Sequence, residues 1–167
     1  SAAKLNKAQS DVEHVRPFIA KLLEIVNFLG NTVDGVTENI PAFCQKKKGK
    51  ILLVAIASNK GLAGAFNSNV AKEVDRLVHN EYEEAYANGE VDLIAIGKQV
   101  AKGLASRKMT VLSDYNSIYD SMSLESVYAI ADELTNKFAT GEYKKISFVF
   151  NEFVNKSSQV VVEKQFL

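Results

Sequence analysis

The sequence predicts an α/β fold: a single domain with a mostly parallel sheet, an antiparallel edge hairpin and a protruding N-terminal coiled-coil-type helix. Three observations carry that expectation. The run ILLVAIA, Ile51 to Ala57, is continuously apolar, as a strand buried on both faces of a parallel sheet is, and DLIAIG, Asp92 to Gly97, repeats the pattern. Each of these runs leads into a helical segment, giving the alternating order of an α/β domain. The chain closes with KISFVFNEF and SSQVVVEKQFL, two β-rich runs joined by a short polar turn, so the last strand is expected antiparallel to its neighbour.

From Leu5 the apolar residues fall at Leu5, Ala8, Val12, Val15, Ile19, Leu22, Val26 and Leu29, in alternating steps of three and four. That is a heptad seam. Phe18, Leu23 and Ile25 widen it, and Pro17, which removes one backbone hydrogen bond, predicts a kink. Propensity alone rarely holds an isolated helix in water, so the seam needs a cover. Two readings fit: a core helix lying on its own domain, or a stalk whose partner helix is not in this chain. Gly30, Asn31 and Gly35 end the helix, and the stretch through Pro41 to the run Lys46–Lys50 reads as a polar linker. The expected organisation is a helix over residues 1–30, a linker over 31–49 and an α/β domain over 50–167.

After the first strand comes the glycine-containing loop SNKGLAGAFN. Asn67 or Asn69 is placed to cap a helix carrying Val70, Val74, Leu77 and Val78, which ends near Gly89. The second strand is followed by a short helix from Gln99 to about Ser106 and a third strand at Met109 to Leu112. Beyond a polar loop with Tyr115 and Tyr119, Ser123 caps a helix with Leu124, Val127, Ile130, Ala131, Leu134 and Phe138 on one face, and Gly141 stops it. The assembly reads as a Rossmann-like domain.

Composition narrows the function. Twenty basic residues balance twenty acidic ones, and no dense basic tract supplies the positive surface that nucleic-acid phosphates need. Cys44 is the one cysteine, so no intramolecular disulfide forms. No apolar run reaches membrane-spanning length. The opening residues SAAKLNKAQ lack the apolar core of a secretory signal and read as the middle of a helix.

Few motifs carry chemistry. The loop from Ser58 to Asn67 could let the backbone approach a phosphate, with Lys60 and the helix N-terminus supplying positive potential. Against this, GLAG lacks the GK[ST] ending of the P-loop and the triplet spacing of the dinucleotide motif, and a tight turn serving packing or a protein contact is the other reading. His14 and His79 have no Cys or acidic cluster at ligand spacing, so no metal is expected. Cys44 sits in the linker without a base or an oxyanion site. Asp92, Asp114, Asp120 and Glu125 read as strand-end, turn and capping residues rather than an acid/base pair.

At ILLVAIASNKGLAGAFNSNVAKEV the sequence resembles the gamma subunit of F-type ATP synthases, whose most recognisable stretch is a buried strand followed by S-D-R/K-G-L-C-G-x-x-N-S/T-N. Ser58, Lys60, Gly61, Leu62, Gly64, Asn67, Ser68 and Asn69 fit that pattern, while Asn59 and Ala63 stand where Asp and Cys are usual. AAKLNKAQ and VRPF are similar to the family's A-A-x-K-x-x-x-A and R-P-Y/F segments on its N-terminal shaft helix. FVFNEFVNKSSQ is similar to its Y/F-N-x-F-x-S hairpin, so the resemblance extends over essentially the whole chain.

The resemblance implies a mechanical role. In that family a paired shaft turns inside a ring of alpha and beta subunits, biasing each catalytic beta subunit toward a different nucleotide affinity, so binding free energy is exchanged without covalent chemistry in the shaft. It implies a chain truncated at both ends, lacking the start of its first helix and the long C-terminal helix that would follow Leu167. It implies partners in the alpha and beta subunits, the epsilon subunit and the membrane c-ring, and a place on the cytoplasmic face of a bacterial inner membrane or on a mitochondrial inner membrane. By the same carry-over the contact candidates toward the ring are Lys60, Gly61, Leu62, Ala65 and Lys72. No catalytic residue, cofactor or metal is expected in the chain itself, since nucleotide and magnesium belong to the neighbours. The alternative is an independent α/β enzyme or nucleotide-binding protein using the Ser58 to Asn67 loop.

Overall fold

The computed structural model describes residues 48–60, 65–116, 124–155 and 158–167, all within one compact unit, Gln45–Leu167. The seam from Leu5 to Leu29, Pro17, Cys44, Ser123 and nearly all of the expected linker lie outside the described residues, as do Gly61 and Leu62.

Strand β1, Lys50–Ile56, is the middle of a five-stranded sheet of order β3-β2-β1-β4-β5. It pairs in parallel with β2, Val91–Ile96, on one side and with β4, Tyr143–Asn155, on the other. β3, Ser113–Asp114, extends the parallel part beyond β2, and β5, Ser158–Gln165, closes the other edge antiparallel to β4. The apolar run dictates this central place: Leu52, Leu53 and Val54 are fully buried, each contributing about 1.5–3 kcal/mol relative to exposure. Alternation sends them to two layers.

Ile51, Leu53 and Ala55 face helix α1, Ala65–Arg76, and helix α3, Lys98–Ser106, through Val70, Val74, Val100 and Leu104. Leu52 and Val54 face helix α4, Leu124–Ala139, through Leu134 and Phe138. Between α1 and the short helix α2, Glu83–Ala87, lies a π turn, Leu77–Glu81.

Three local expectations need correction. The helix expected from Asn67 or Asn69 to near Gly89 begins at Ala65 and is interrupted by the π turn, closed where the Tyr82 N–H donates to Leu77 O at 2.8 Å. Leu77 and Val78, at its start, are both fully buried. The third strand was expected at Met109 to Leu112, yet the paired residues are Ser113–Asp114. Met109 is instead held against the end of α3, its N–H donating to Leu104 O at 3.1 Å just after Lys108 takes φ 59°. On α4, Val127 lies 44 % exposed rather than on the buried face, one turn before Ile130, Leu134 and Phe138, which pack on the sheet.

Candidate functional site

Because β1 has β2 on one side and β4 on the other, the strand order reverses beside it, and the carboxyl end of such a reversal is where open α/β sheets leave a crevice. Here a crevice of about 390 Å³ is lined by Ile56, Ala57, Ser58, Phe66, Phe148, Phe150 and Asn151. The glycine loop leaves β1 at its rim.

What holds the loop is a set of amide side chains. The Ser58 N–H donates to Asn67 Oδ1 at 3.0 Å, and Asn67 Nδ2 donates to Lys60 O at 3.2 Å, so one buried side chain in the first turn of α1 fastens the loop's start. The Ser58 hydroxyl lies 2.7 Å from Lys60 O and 3.0 Å from Asn67 Oδ1, two acceptors for one proton. Asn59 reaches the other way. Its Oδ1 accepts from the Lys98 N–H at 2.8 Å, capping one of the donors that the start of α3 leaves unpaired. Its Nδ2 donates to Asn116 O at 3.3 Å, and Asn116 Oδ1 in turn accepts from the Gly97 N–H at 2.9 Å. On the far side of the crevice Asn151 Nδ2 donates to Phe66 O at 2.8 Å, tying β4 to α1.

These bonds occupy the polar side chains of Ser58, Asn59 and Asn67. The lining of the crevice is mostly aromatic and aliphatic, and its two polar residues, Ser58 and Asn151, are already bonded to the loop and to α1. Such a surface suits packing against apolar groups better than cradling a phosphate.

Of the contact candidates, Lys60, Ala65 and Lys72 are exposed. Ala65 and Lys72 stand two helical turns apart on the outward face of α1, opposite the buried Val70, Ala71 and Val74. Among the described residues Lys72 makes no ion pair, whereas Arg76, one turn on, is held by Glu73 at 2.7 Å. Sequence reasoning missed Gly97, Asn116 and Asn151, and placed Asn67 as a helix cap when it serves the strand end instead. For Asn116, as for Asn59, the usable signal was an Asn just past a strand, since short amides satisfy loop backbone groups, whereas Asn151 lies inside β4.

At the opposite, amino end of the parallel strands Asp92 acts as the strand-end residue its position suggests. Its Oδ2 accepts from the Tyr143 hydroxyl at 3.0 Å, and Lys50 Nζ lies 3.3 Å from both carboxylate oxygens. Burial, reinforced by the bond to Asp92, raises the Tyr143 phenol well above its ordinary value. A raised folded-state value contributes stability that is whole below the unfolded value, near pH 10, and is lost as pH rises toward the folded one. Urea unfolding between about pH 9 and about pH 11 is therefore expected to show stability falling by up to about 1.4 kcal/mol per unit from this group, a component that Tyr143→Phe removes. An identical slope in the variant would contradict the assignment.

Among the described residues no group of three or more His, Cys, Asp or Glu is placed to hold a metal ion, and no helix is long and apolar enough to cross a membrane.

Comparison with known proteins then bears on the whole chain. The family model described as ATP synthase matches residues 1–167. The ATP synthase gamma chain of Flavobacterium johnsoniae is 42% identical over 167 residues, covering 100% of this chain and 56% of the relative. That of Flavobacterium psychrophilum is 40% identical with the same coverage. The chain thus spans a little over half the length of these relatives. Among solved structures, the mitochondrial ATP synthase central stalk and c-ring of Tetrahymena thermophila contains a chain similar at TM-score 0.54 and 28% identity, covering 89% of this chain and 66% of that one. The rotor of the Euglena gracilis enzyme, at TM-score 0.54 and 16% identity, shares the fold. With a family model over its full length and these relatives, the chain belongs to the gamma-chain family of ATP synthases.

Proposed function

We propose that this chain is the α/β portion, with part of the shaft, of a non-catalytic rotor subunit that couples ion-driven rotation to ATP synthesis or hydrolysis in neighbouring subunits. The observation that carries the reading is the family match over residues 1–167, with relatives that are ATP synthase gamma chains. The geometry supports it from a second direction: the side chains of Ser58, Asn59 and Asn67 bond to one another and to adjacent turns, while Lys60 and the outward face of α1 are exposed. Residues 1–30 are the shaft helix on this reading, 31–49 a linker and 50–167 the α/β domain. Lys60, Gly61, Leu62, Ala65 and Lys72 face the catalytic ring, and the epsilon subunit and the c-ring lie below. The complex is held peripherally at the cytoplasmic face of a bacterial inner membrane.

Lys72 tests the contact. As an exposed, unpaired lysine it is dispensable for folding, so Lys72→Glu in the full-length subunit is expected to change stability by no more than about 0.5 kcal/mol. Reversing its charge at an interface is expected to weaken assembly with the ring roughly tenfold, most at low salt. Melting of the isolated subunit and titration of the ring with each variant measure the two effects. Equal affinity across ionic strengths would remove Lys72 from the interface.

A further inference from the structure

The edge strand β5 has a ladder on one side only, so its place in the sheet depends on β4 and on what its faces touch. On its outer face Val160 is 51 % exposed, and Phe166, just past the end of the strand, is 41 % exposed and packs on Phe148 with ring centres 5.0 Å apart. On its inner face Val161 packs on the core, and beside it Glu163 meets two residues from different parts of the chain. The Tyr82 hydroxyl donates to Glu163 Oε1 at 2.7 Å, Lys145 Nζ lies 3.2 Å from the same oxygen, and Lys145 Nζ also donates to the Tyr82 oxygen at 2.6 Å. The ammonium stands 5.1 Å from the centre of the Tyr82 ring as well. Beneath them lies the fully buried Ser147 hydroxyl, which meets no hydrogen-bond geometry among the described residues but is near enough to Glu163 to favour the charged carboxylate.

Tyr82 is the residue that closes the π turn. A π turn carries one residue more than an α turn and so rotates everything after it by roughly 100°. Such interruptions are uncommon and cluster where a side chain has to be re-aimed. Here the interruption comes between two fully buried residues, Leu77 and Val78, and a tyrosine that leaves the helical layer for the hairpin.

We propose that Tyr82, Lys145 and Glu163 form a clasp that controls detachment of β5, and that the π turn exists to bring Tyr82 into it. The strand then opens by releasing the clasp, while the rest of the sheet stays folded. This goes beyond the rotor reading and does not depend on it.

Hydrogen exchange of this chain, followed residue by residue, tests it. Tyr82→Phe removes only the phenol oxygen and keeps the ring, and Glu163→Gln removes the charge and keeps the shape, so both variants should fold. The β4-facing amides of β5 between Val160 and Gln165 are expected to exchange about tenfold faster or more in each, the size expected for losing a hydrogen bond to a charged group, while Leu52 to Ala55 in β1 keep their rates. The double variant is expected to exchange faster than either single one but by less than the product of their effects, since the two share the Tyr82–Glu163 bond and each also acts on Lys145. Unchanged β5 rates would overturn the clasp. So would equal acceleration of β5 and β1, which would make the triad an ordinary contributor to global stability.

Discussion

Gly97→Ala is expected to destabilise the domain by about 3–5 kcal/mol, a large part of the roughly 5–15 kcal/mol that holds a typical domain together. Two costs add. Gly97 adopts φ 115°, where a side chain is strained by about 1–3 kcal/mol. A Cβ there would also lie 2.0 Å from Ala57 O and 2.8 Å from Ala57 C, and backbone at the end of a buried strand cannot swing aside as a side chain can. Overpacking of that kind costs about another 1–3 kcal/mol. Gly89 supplies the control: it too has positive φ, 71°, yet a Cβ would meet nothing within 4 Å, so Gly89→Ala is expected to cost only about 1 kcal/mol. Urea denaturation of both separates strain from collision. If the two variants lose the same stability, the close approach of Gly97 to β1 is not what fixes that turn.

Asn67→Ala is expected to cost about 2–3 kcal/mol. The side chain is 8 % exposed and makes bonds at both ends of its amide, so its loss leaves the Ser58 N–H without its acceptor and takes from Lys60 O one of two donors, the Ser58 hydroxyl remaining. An unsatisfied buried group costs about 1–3 kcal/mol, more than the net worth of the bond itself. Asn67→Asp keeps an acceptor for Ser58 and turns a carboxylate toward Lys60 O, so an intermediate loss is expected. Denaturation midpoints for the three proteins check the order, and an alanine variant as stable as the parent would mean that water replaces the amide.

The sheet was legible because burial on both faces leaves a plain mark: ILLVAIA and DLIAIG have no polar side chain to place outside except Asp92, which sits at a strand start. The closing hairpin was legible for the related reason that two β-rich runs with a short polar turn have few other ways to pair. Local irregularities were not. The π turn is invisible to periodicity, since the helical pattern of Val70, Val74, Leu77 and Val78 continues smoothly through it. The two-residue β3 is set by the sheet edge beside β2 rather than by the apolar content of MTVL, whose Leu112 is 59 % exposed. At the candidate site, the sequence exposes the loop but not its ties. Asn59, Asn116 and Asn151 act across separations of 19 to 85 residues, and no local signal records such partners. Asn59 stands where the family usually has Asp, and the bond to Lys98 uses its oxygen, which either residue offers.

The proposed function rests on rotation, and rotation can be watched. With the full-length subunit assembled in its alpha and beta ring on a surface and a bead attached at an exposed cysteine replacing Lys108 in the α/β domain, ATP is expected to drive the bead in one direction in discrete steps. The isolated subunit is expected to hydrolyse none. Stepwise unidirectional turning that requires the ring would establish the rotor role; ATP hydrolysis by the subunit alone, abolished by Lys60→Ala, would contradict it and return the glycine loop to the catalytic reading.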